Sequence, residues 1–263
     1  MLDASQPIGI FDSGAGGLCV LAAIRRLLPG EDLIYYADTA HFPYGPKRPE
    51  EVRGRAEAVT RELLAGGAKL VVVACNTATS AAIAQLRETF DGVPFVGMEP
   101  ALKPAAERTL AGRVALLVTP GTAGGEKLAA LIDRYGAEVT VRTVAAPGLA
   151  ERVEAGDIDS EETRALVRRY VAEATAGGAD VIALGCTHYV FLRGAIERAA
   201  GEGVAVIEPS GAVARQVARV LGERGLANAR AAGGGVLYLT SGDEAAFGAV
   251  RDRLLALLEA AAP

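Results

Sequence analysis

Two stretches of the chain match without a gap: Gly66-Gly67-Ala68-Lys69-Leu70-Val71-Val72-Val73-Ala74-Cys75-Asn76-Thr77 and Gly177-Gly178-Ala179-Asp180-Val181-Ile182-Ala183-Leu184-Gly185-Cys186-Thr187-His188. Each runs from a Gly-Gly pair through a short apolar segment to a cysteine, a pattern typical of a strand buried on both faces of a parallel sheet. Because this pattern occurs twice, we expect a pseudo-symmetric protein that presents two thiols to opposite sides of one substrate. That arrangement suits the movement of a proton from one face of a carbon atom to the other.

Short β-rich runs alternate with helical patterns along nearly the whole chain, which indicates an α/β protein with parallel sheets. We predict strands near residues 7–12, 32–37, 69–74, 93–97, 113–118, 138–144, 180–185, 203–207 and 235–240, and helices over 50–65, 122–135, 161–176 and 243–260. A second pair of matching stretches, Ile8 to Gly17 and Ala115 to Gly125, opens the two halves. We therefore expect two pseudo-symmetric parallel-sheet α/β domains, 1–98 plus 209–263 and 99–208, with the active site in the cleft between them.

The composition is that of a soluble globular enzyme, with 51% hydrophobic and 22% charged residues in a chain of 263. A net charge of −5 argues against nucleic-acid or anionic-membrane partners. The N-terminal segment lacks the pattern of a secretory signal, and the apolar runs are too short to span a bilayer. Three cysteines cannot all pair, so the cytoplasm, with its reduced thiols, is the simplest location.

Several chemically capable side chains follow predicted strands, and ligands bind at the carboxyl ends of such strands. Asp12, Cys75, Thr119 and Cys186 all occupy these positions. Each of the two cysteines precedes an expected helix start, where backbone N–H groups and the helix dipole favour a thiolate. His188 follows Cys186 by two residues and is suited to orient, protonate or deprotonate a reacting group near neutral pH.

Other interpretations of these residues stay open. Asp12 is also suited to cap a helix, and Cys75 or Cys186 to fill a tight corner. The glycine-rich turn of residues 13–17 matches neither nucleotide-binding pattern, although it would let a small anion approach the backbone. A zinc site of Cys75, Cys186 and His188 has suitable ligand types but no supporting spacing.

The sequence gives less support for a role of the remaining cysteine and histidine in the site. Cys19 lies in an apolar helical pattern, where it is expected to pack. His41 lies in an irregular loop, residues 38–46, of the kind that closes over substrates.

Five stretches in order resemble motifs of the glutamate racemases, in the aspartate/glutamate racemase superfamily: Phe11-Asp12-Ser13-Gly14, Pro43-Tyr44-Gly45, Cys75-Asn76-Thr77-Ala78, Glu99-Pro100-Ala101 and Gly185-Cys186-Thr187-His188-Tyr189. They are spread over most of the chain, and the ordered set is specific. Val190-Phe191 stands where the family usually has Pro-Leu. The turn at Thr119 to Thr122 is also less typical of the family.

The resemblance implies a two-base racemisation of glutamate without cofactor or metal. Cys75 would deprotonate D-glutamate and Cys186 would deprotonate L-glutamate; Asp12 would assist the first thiol, and His188 and Glu154 the second. On its own, Glu154 is equally a solvated helix carboxylate. The implied substrate-binding residues are Asp12, Ser13, Tyr44, Gly45, Asn76, Thr77, Thr187 and His188. The resemblance also implies a homodimer that supplies D-glutamate for peptidoglycan in a bacterial cytoplasm.

Three alternatives remain at the level of sequence. An aspartate racemase, or another small-acid racemase or isomerase, would share the motifs. A cysteine hydrolase would use Cys186 with His188, but residues two apart rarely face each other in a regular element. A non-catalytic module for small anions would also suit two α/β domains with a cleft.

Overall fold

The computed structural model describes residues 2–136 and 138–260, so residues 1 and 261–263 of the first predicted domain lie outside it. Within these ranges the strands are β1 (Ile8–Asp12), β2 (Leu33–Ala37), β3 (Leu70–Val73), β4 (Phe95–Gly97), β5 (Arg113–Val118), β6 (Thr140–Ala145), β7 (Val181–Gly185), β8 (Ala205–Ile207) and β9 (Val236–Thr240). All nine correspond to predicted strands. The apolar runs placed them well because both faces of the central strands are buried.

At least one helix separates each pair of consecutive strands along the chain. The helices are α1 (Leu18–Leu27), α2 (Pro49–Ala65), α3 (Asn76–Thr89), α4 (Leu102–Arg108), α5 (Pro120–Ala123), α6 (Glu126–Tyr135), α7 (Leu149–Glu154), α8 (Glu161–Thr175), α9 (Arg193–Ala200), α10 (Ser210–Glu223) and α11 (Glu244–Ala260), with 3₁₀ helices at Thr39–His41 and His188–Leu192. The helix predicted over 122–135 is interrupted at Gly124-Gly125, since glycine disfavours helix. None of the helices in the described ranges is long and apolar enough to cross a membrane.

The strands form two parallel sheets with the same internal order. The first sheet runs β4-β3-β1-β2-β9 and the second runs β8-β7-β5-β6. If β9 is set aside, each strand of the second sheet occupies the place of the strand four positions earlier in the chain. The two cysteine-bearing strands, β3 and β7, are therefore equivalent in the two halves, as the sequence repeat predicts.

β9 follows β8 in the chain but belongs to the first sheet, so the C-terminal part of the chain returns to the first half. The exact boundaries at 98/99 and 208/209 stay a prediction.

The Gly-Gly pairs that begin the two repeats have a backbone reason to be glycine. Gly67 has a φ of 85° and Gly178 a φ of 77°, in the left-handed region that residues with a Cβ rarely adopt. Each glycine turns the chain from a helix into the cysteine-bearing strand. The sequence repeat is thus a repeat of a helix–turn–strand connection.

One apolar cluster extends across both halves of the molecule. It joins Ile10 and Leu18 of the first half to Leu184 and Tyr189 of the second. The outer faces of the two sheets have separate clusters of their own. The halves therefore pack firmly together, with the carboxyl ends of their strands at a shared cleft.

Candidate active site

The carboxyl ends of the strands enclose a cavity of about 90 Å³. Ten of the eleven predicted site residues line it: Asp12, Ser13, Tyr44, Gly45, Cys75, Asn76, Thr77, Cys186, Thr187 and His188. Both cysteines thus line one cavity, and each comes from a different half of the chain. Glu154 is not part of the cavity wall but contacts His188 from behind.

Cys75 lies at the N-terminus of α3, where its main chain is extended and its sulfur accepts a hydrogen bond from the N–H of Ala78, at 3.5 Å. Its thiol donates to Ser13 Oγ at 3.9 Å. The expectation of a lowered pKa at this helix start is wrong for Cys75. Burial, together with the negative charge of Asp12, raises the pKa of the Cys75 thiol well above its ordinary value, and the N–H of Ala78 only partly opposes them.

Cys186 belongs to a different electrostatic environment, because His188 lies beside it. The distance from Cys186 Sγ to His188 Nδ1 is 3.9 Å, and His188 Nε2 lies 2.8 Å from Glu154 Oε2. Burial on its own lowers the pKa of His188, but the hydrogen bonds to Cys186 and Glu154 outweigh it and the net pKa is raised well above the ordinary value. A protonated imidazole at this position places a positive charge and an N–H donor beside the Cys186 sulfur.

The contact between Cys186 and His188 corrects the argument that residues two apart do not face each other. That rule holds within a regular element. Here β7 ends at Gly185 and the 3₁₀ helix begins at His188, so Cys186 and Thr187 form an irregular turn that brings the two side chains together.

Asp12 is completely buried and fully hydrogen-bonded. Its carboxylate accepts from the N–H of Ser13 at 2.8 Å, from the N–H of Gly17 at 2.6 Å and from the hydroxyl of Thr187 at 3.1 Å. Burial raises the pKa of Asp12, and the nearby charge of His188 counteracts this. The bond to Thr187 joins the first half of the molecule to the second within the site.

The glycine-rich turn after β1 packs directly against side chains of the other half. A Cβ on Gly14 would lie 2.5 Å from the Glu154 carboxylate, and a Cβ on Gly16 would lie 2.3 Å from the His188 ring. The N–H of Ala15 donates to Glu154 Oε2 at 2.9 Å. Glycines are therefore needed because the Glu154–His188 pair rests directly on this turn.

Polar groups suited to a ligand are distributed unevenly around the cavity. Asn76 is buried, and both polar atoms of its side chain lack a hydrogen-bond partner. Thr77 Oγ1 lies 3.0 Å from Thr119 Oγ1, which bridges the two halves. Tyr44 contributes its ring, because its hydroxyl donates to Asp38 at 2.5 Å.

Sequence reasoning missed several cavity residues whose side chains carry no chemical signature, including Phe42, Pro147 and Ala150. Glu151 was missed as well, although the position of Glu154 on the same helix could have indicated it. His41 is absent from the cavity wall and pairs with Asp38. Cys19 packs in the shared apolar cluster, as expected, with its sulfur 3.8 Å from the carbonyl oxygen of Thr187.

The described wall residues of the cavity include neither Arg nor Lys, so neither side chain is available there to clamp a carboxylate. Val190 and Phe191, the departure from the racemase pattern, also lie outside the wall and pack on the shared apolar cluster. Within residues 2–136 and 138–260, no group of three or more His, Cys, Asp or Glu side chains is arranged to hold a metal ion.

Comparison with known proteins agrees with this architecture. The model of the Asp/Glu/Hydantoin racemase family matches residues 18–217. A glutamate racemase of Herpetosiphon aurantiacus is 50% identical over 249 residues, which cover 95% of this chain and 98% of that protein.

Two solved structures extend the likeness to three dimensions. The glutamate racemase of Thermus thermophilus, in complex with β-chloro-D-alanine, is 39% identical with a TM-score of 0.81 and covers 96% of this chain and 94% of its own. A glutamate racemase of Bacillus anthracis is 30% identical with a TM-score of 0.88 and covers 95% and 94%. Sequence and fold agree over most of the chain, and the chain belongs to the Asp/Glu/Hydantoin racemase family.

Proposed function

We propose that this protein interconverts L- and D-glutamate without a cofactor, using Cys75 and Cys186 as the two acid/base groups. The observation that carries the proposal is that these two thiols, one from each half, line a single narrow cavity. Family membership supports the reaction type, and the relatives described above are glutamate racemases.

The chemistry requires a proton to leave one face of the α-carbon and another to arrive on the opposite face. In the direction from L to D, the Cys186 thiolate removes the α-proton and the Cys75 thiol donates its proton to the other face. The electron pair of the broken C–H bond forms the new C–H bond. The two thiols exchange protonation states, and the reaction from D to L uses them in reverse.

The charges around the two thiols favour Cys186 as the base and Cys75 as the acid before substrate binds. Cys186 faces the His188–Glu154 pair, which places a positive charge beside its sulfur, whereas burial and the charge of Asp12 raise the pKa of the Cys75 thiol. In this state the protein is prepared to accept L-glutamate. Asp12 is also suited to balance the ammonium group of the substrate, which would in turn ease ionisation of Cys75.

Neutral donors would hold the substrate carboxylates. The unpaired amide of Asn76 is the strongest candidate, because a buried amide without a partner is costly until a ligand satisfies it. The hydroxyls of Ser13, Thr77 and Thr187 complete the set. Such donors bind an anion by hydrogen bonds and leave the α-carboxylate free to delocalise charge in the transition state.

The experiment is a racemisation assay by circular dichroism of the amino acid, with L-glutamate and L-aspartate in parallel and no added cofactor. We expect glutamate to lose its optical activity and aspartate to react about 10- to 200-fold more slowly, the discrimination that one methylene group provides. Cys75→Ser and Cys186→Ser should each fold and lose activity by about 10²- to 10⁴-fold. Full activity in the Cys75→Ser variant would contradict the two-base proposal and favour a hydrolase-like use of Cys186 with His188.

We further propose that the D-glutamate supplies peptidoglycan synthesis, that the protein acts in a bacterial cytoplasm, and that it does so as a homodimer. The three free thiols suit a reducing compartment. The homodimer rests on the family resemblance. Light scattering of the purified protein, with and without D-glutamate, tests it: a mass that stays at one chain would contradict the homodimer.

A further inference from the structure

A chain of polar side chains connects the two thiols behind the cavity. On the first half, the Cys75 thiol lies 3.9 Å from Ser13 Oγ, and Ser13 Oγ lies 3.5 Å from Asp12 Oδ1. The other oxygen of the same carboxylate, Asp12 Oδ2, accepts from Thr187 Oγ1 at 3.1 Å. Asp12 therefore connects Ser13 on its own half to Thr187 on the other.

The chain continues to the second thiol on the other half. Thr187 Oγ1 lies 3.4 Å from His188 Nδ1, and the same nitrogen lies 3.9 Å from Cys186 Sγ. Each intermediate group can both accept and release a proton: two hydroxyls, a carboxylate and an imidazole nitrogen. All of these side chains are at least nine-tenths buried.

A two-base racemase needs such a connection, and this part of the argument rests on the proposed function. After one conversion from L to D, Cys186 is a thiol and Cys75 is a thiolate. Before a second L-glutamate can react, one proton has to move from Cys186 back to Cys75. Cys75 and Cys186 are each only 5% exposed, so direct exchange of their thiol protons with bulk water is hindered.

The geometry points to a proton-return path through His188, Thr187, Asp12 and Ser13 that resets the two thiols between turnovers. Thr187 gives its hydroxyl proton to the Asp12 carboxylate and takes one from His188 Nδ1, and His188 recovers that proton from the Cys186 thiol. The neutral Asp12 carboxyl then gives a proton to Ser13 as Ser13 gives its own to the Cys75 thiolate, and Asp12 is again a carboxylate. The S–H bond of Cys186 breaks and an S–H bond forms on Cys75. Each intermediate group ends in the protonation state in which it began, and no group is oxidised or reduced. The same path operates in reverse after a conversion from D to L.

The test separates the first chemical event from the reset. One rate is measured in the first turnover, with enzyme in excess over L-glutamate. The other is the steady-state rate at saturating L-glutamate, with D-glutamate removed as it forms. Thr187→Val interrupts the path at its centre with a side chain of the same shape. We expect it to lower the steady-state rate by about tenfold or more beyond any loss in the first-turnover rate.

Two further variants make the result specific. Thr187→Ser retains the hydroxyl and should keep the two rates in the wild-type ratio. Ser13→Ala interrupts the path at another link and should change the ratio in the same direction as Thr187→Val. If both rates fall by the same factor in Thr187→Val, or if neither falls, the residue only positions its neighbours and the path is refuted. A wild-type protein without a first turnover would instead refute the proposed racemisation.

Discussion

At the scale of single residues, Asn76 shows the conflict between stability and binding. Its buried amide has no hydrogen-bond partner, so it destabilises the folded protein, and in the proposed function it is available to a substrate carboxylate. We expect Asn76→Ala to raise the free energy of unfolding by about 1 kcal/mol and to raise the KM for glutamate by about tenfold or more. Thermal unfolding measures the change in stability, and a racemisation assay on the same sample measures the change in KM. A variant that is less stable and binds glutamate normally would contradict this role.

The His188–Glu154 pair predicts a pH dependence with a defined sign. Folded His188 holds its proton more tightly than the unfolded chain does, where the pKa is about 6.5. The pair therefore stabilises the fold fully below about pH 6.5 and loses this contribution as the pH rises through the folded pKa. We expect Glu154→Gln to cost about 1–3 kcal/mol at pH 6 and progressively less at higher pH.

Urea unfolding at several pH values measures this difference. Glu151→Gln, a carboxylate on the same helix that the structure leaves more exposed, is the matched control and should show little cost at any pH. A cost of Glu154→Gln that stays constant across the pH range would show that His188 does not hold an extra proton through this carboxylate.

Residue identities at strand ends could be predicted from the sequence because a buried strand followed by a polar or reactive side chain is a local pattern. Asp12, Cys75 and Cys186 were found in this way. The contact of Cys186 with His188 and the raised pKa of Cys75 could not be predicted, since both depend on burial and on the shape of an irregular turn. Glu154 entered through the family resemblance, and its position against Ala15 depends on packing between segments 139 residues apart.

At the scale of elements, the turn between β1 and α1 is the surface against which the second half packs the His188–Glu154 pair. Gly16 has no positive φ, so only space requires a glycine there. We expect Gly16→Ala to displace the His188 ring and lower kcat by about tenfold or more, because general acid–base catalysis depends on this geometry. Gly54→Ala, in the middle of α2 with nothing within 4 Å of the added Cβ, is the control and should stabilise the protein by about 0.5–1 kcal/mol. Equal activity in the two variants would contradict the role of the turn.

The elements themselves were largely predictable because apolar periodicity decides strand and helix positions in a parallel-sheet protein. The interruption between α5 and α6 was missed, because two glycines within an amphipathic pattern indicate a helix and a break equally well. The role of the glycine-rich turn was also missed. The glycines in its sequence indicate that another group lies close to the backbone, but they do not show that this group is the Glu154–His188 pair.

At the scale of the whole molecule, the same strand order in the two sheets brings two equivalent cysteines to one cavity. The symmetry is not complete: β9 is present only in the first sheet, and the partners of the two thiols differ in charge. Cys75 has Ser13 and the anionic neighbour Asp12, whereas Cys186 has the imidazole of His188. A duplicated fold with unlike partners suits a reaction whose two substrates are mirror images.

The central claim is that each thiol acts on one face of the α-carbon. The most direct measurement is the first turnover of L-glutamate in D₂O, with the enzyme already equilibrated in D₂O, in excess over substrate and without added cofactor, followed by chiral separation and mass spectrometry of both enantiomers. We predict that the D-glutamate formed carries deuterium at the α-carbon while the remaining L-glutamate still carries protium, because the base that removes the proton differs from the acid that replaces it. D-glutamate that retains protium, or deuterium that enters both enantiomers at the same rate, would contradict the two-base account.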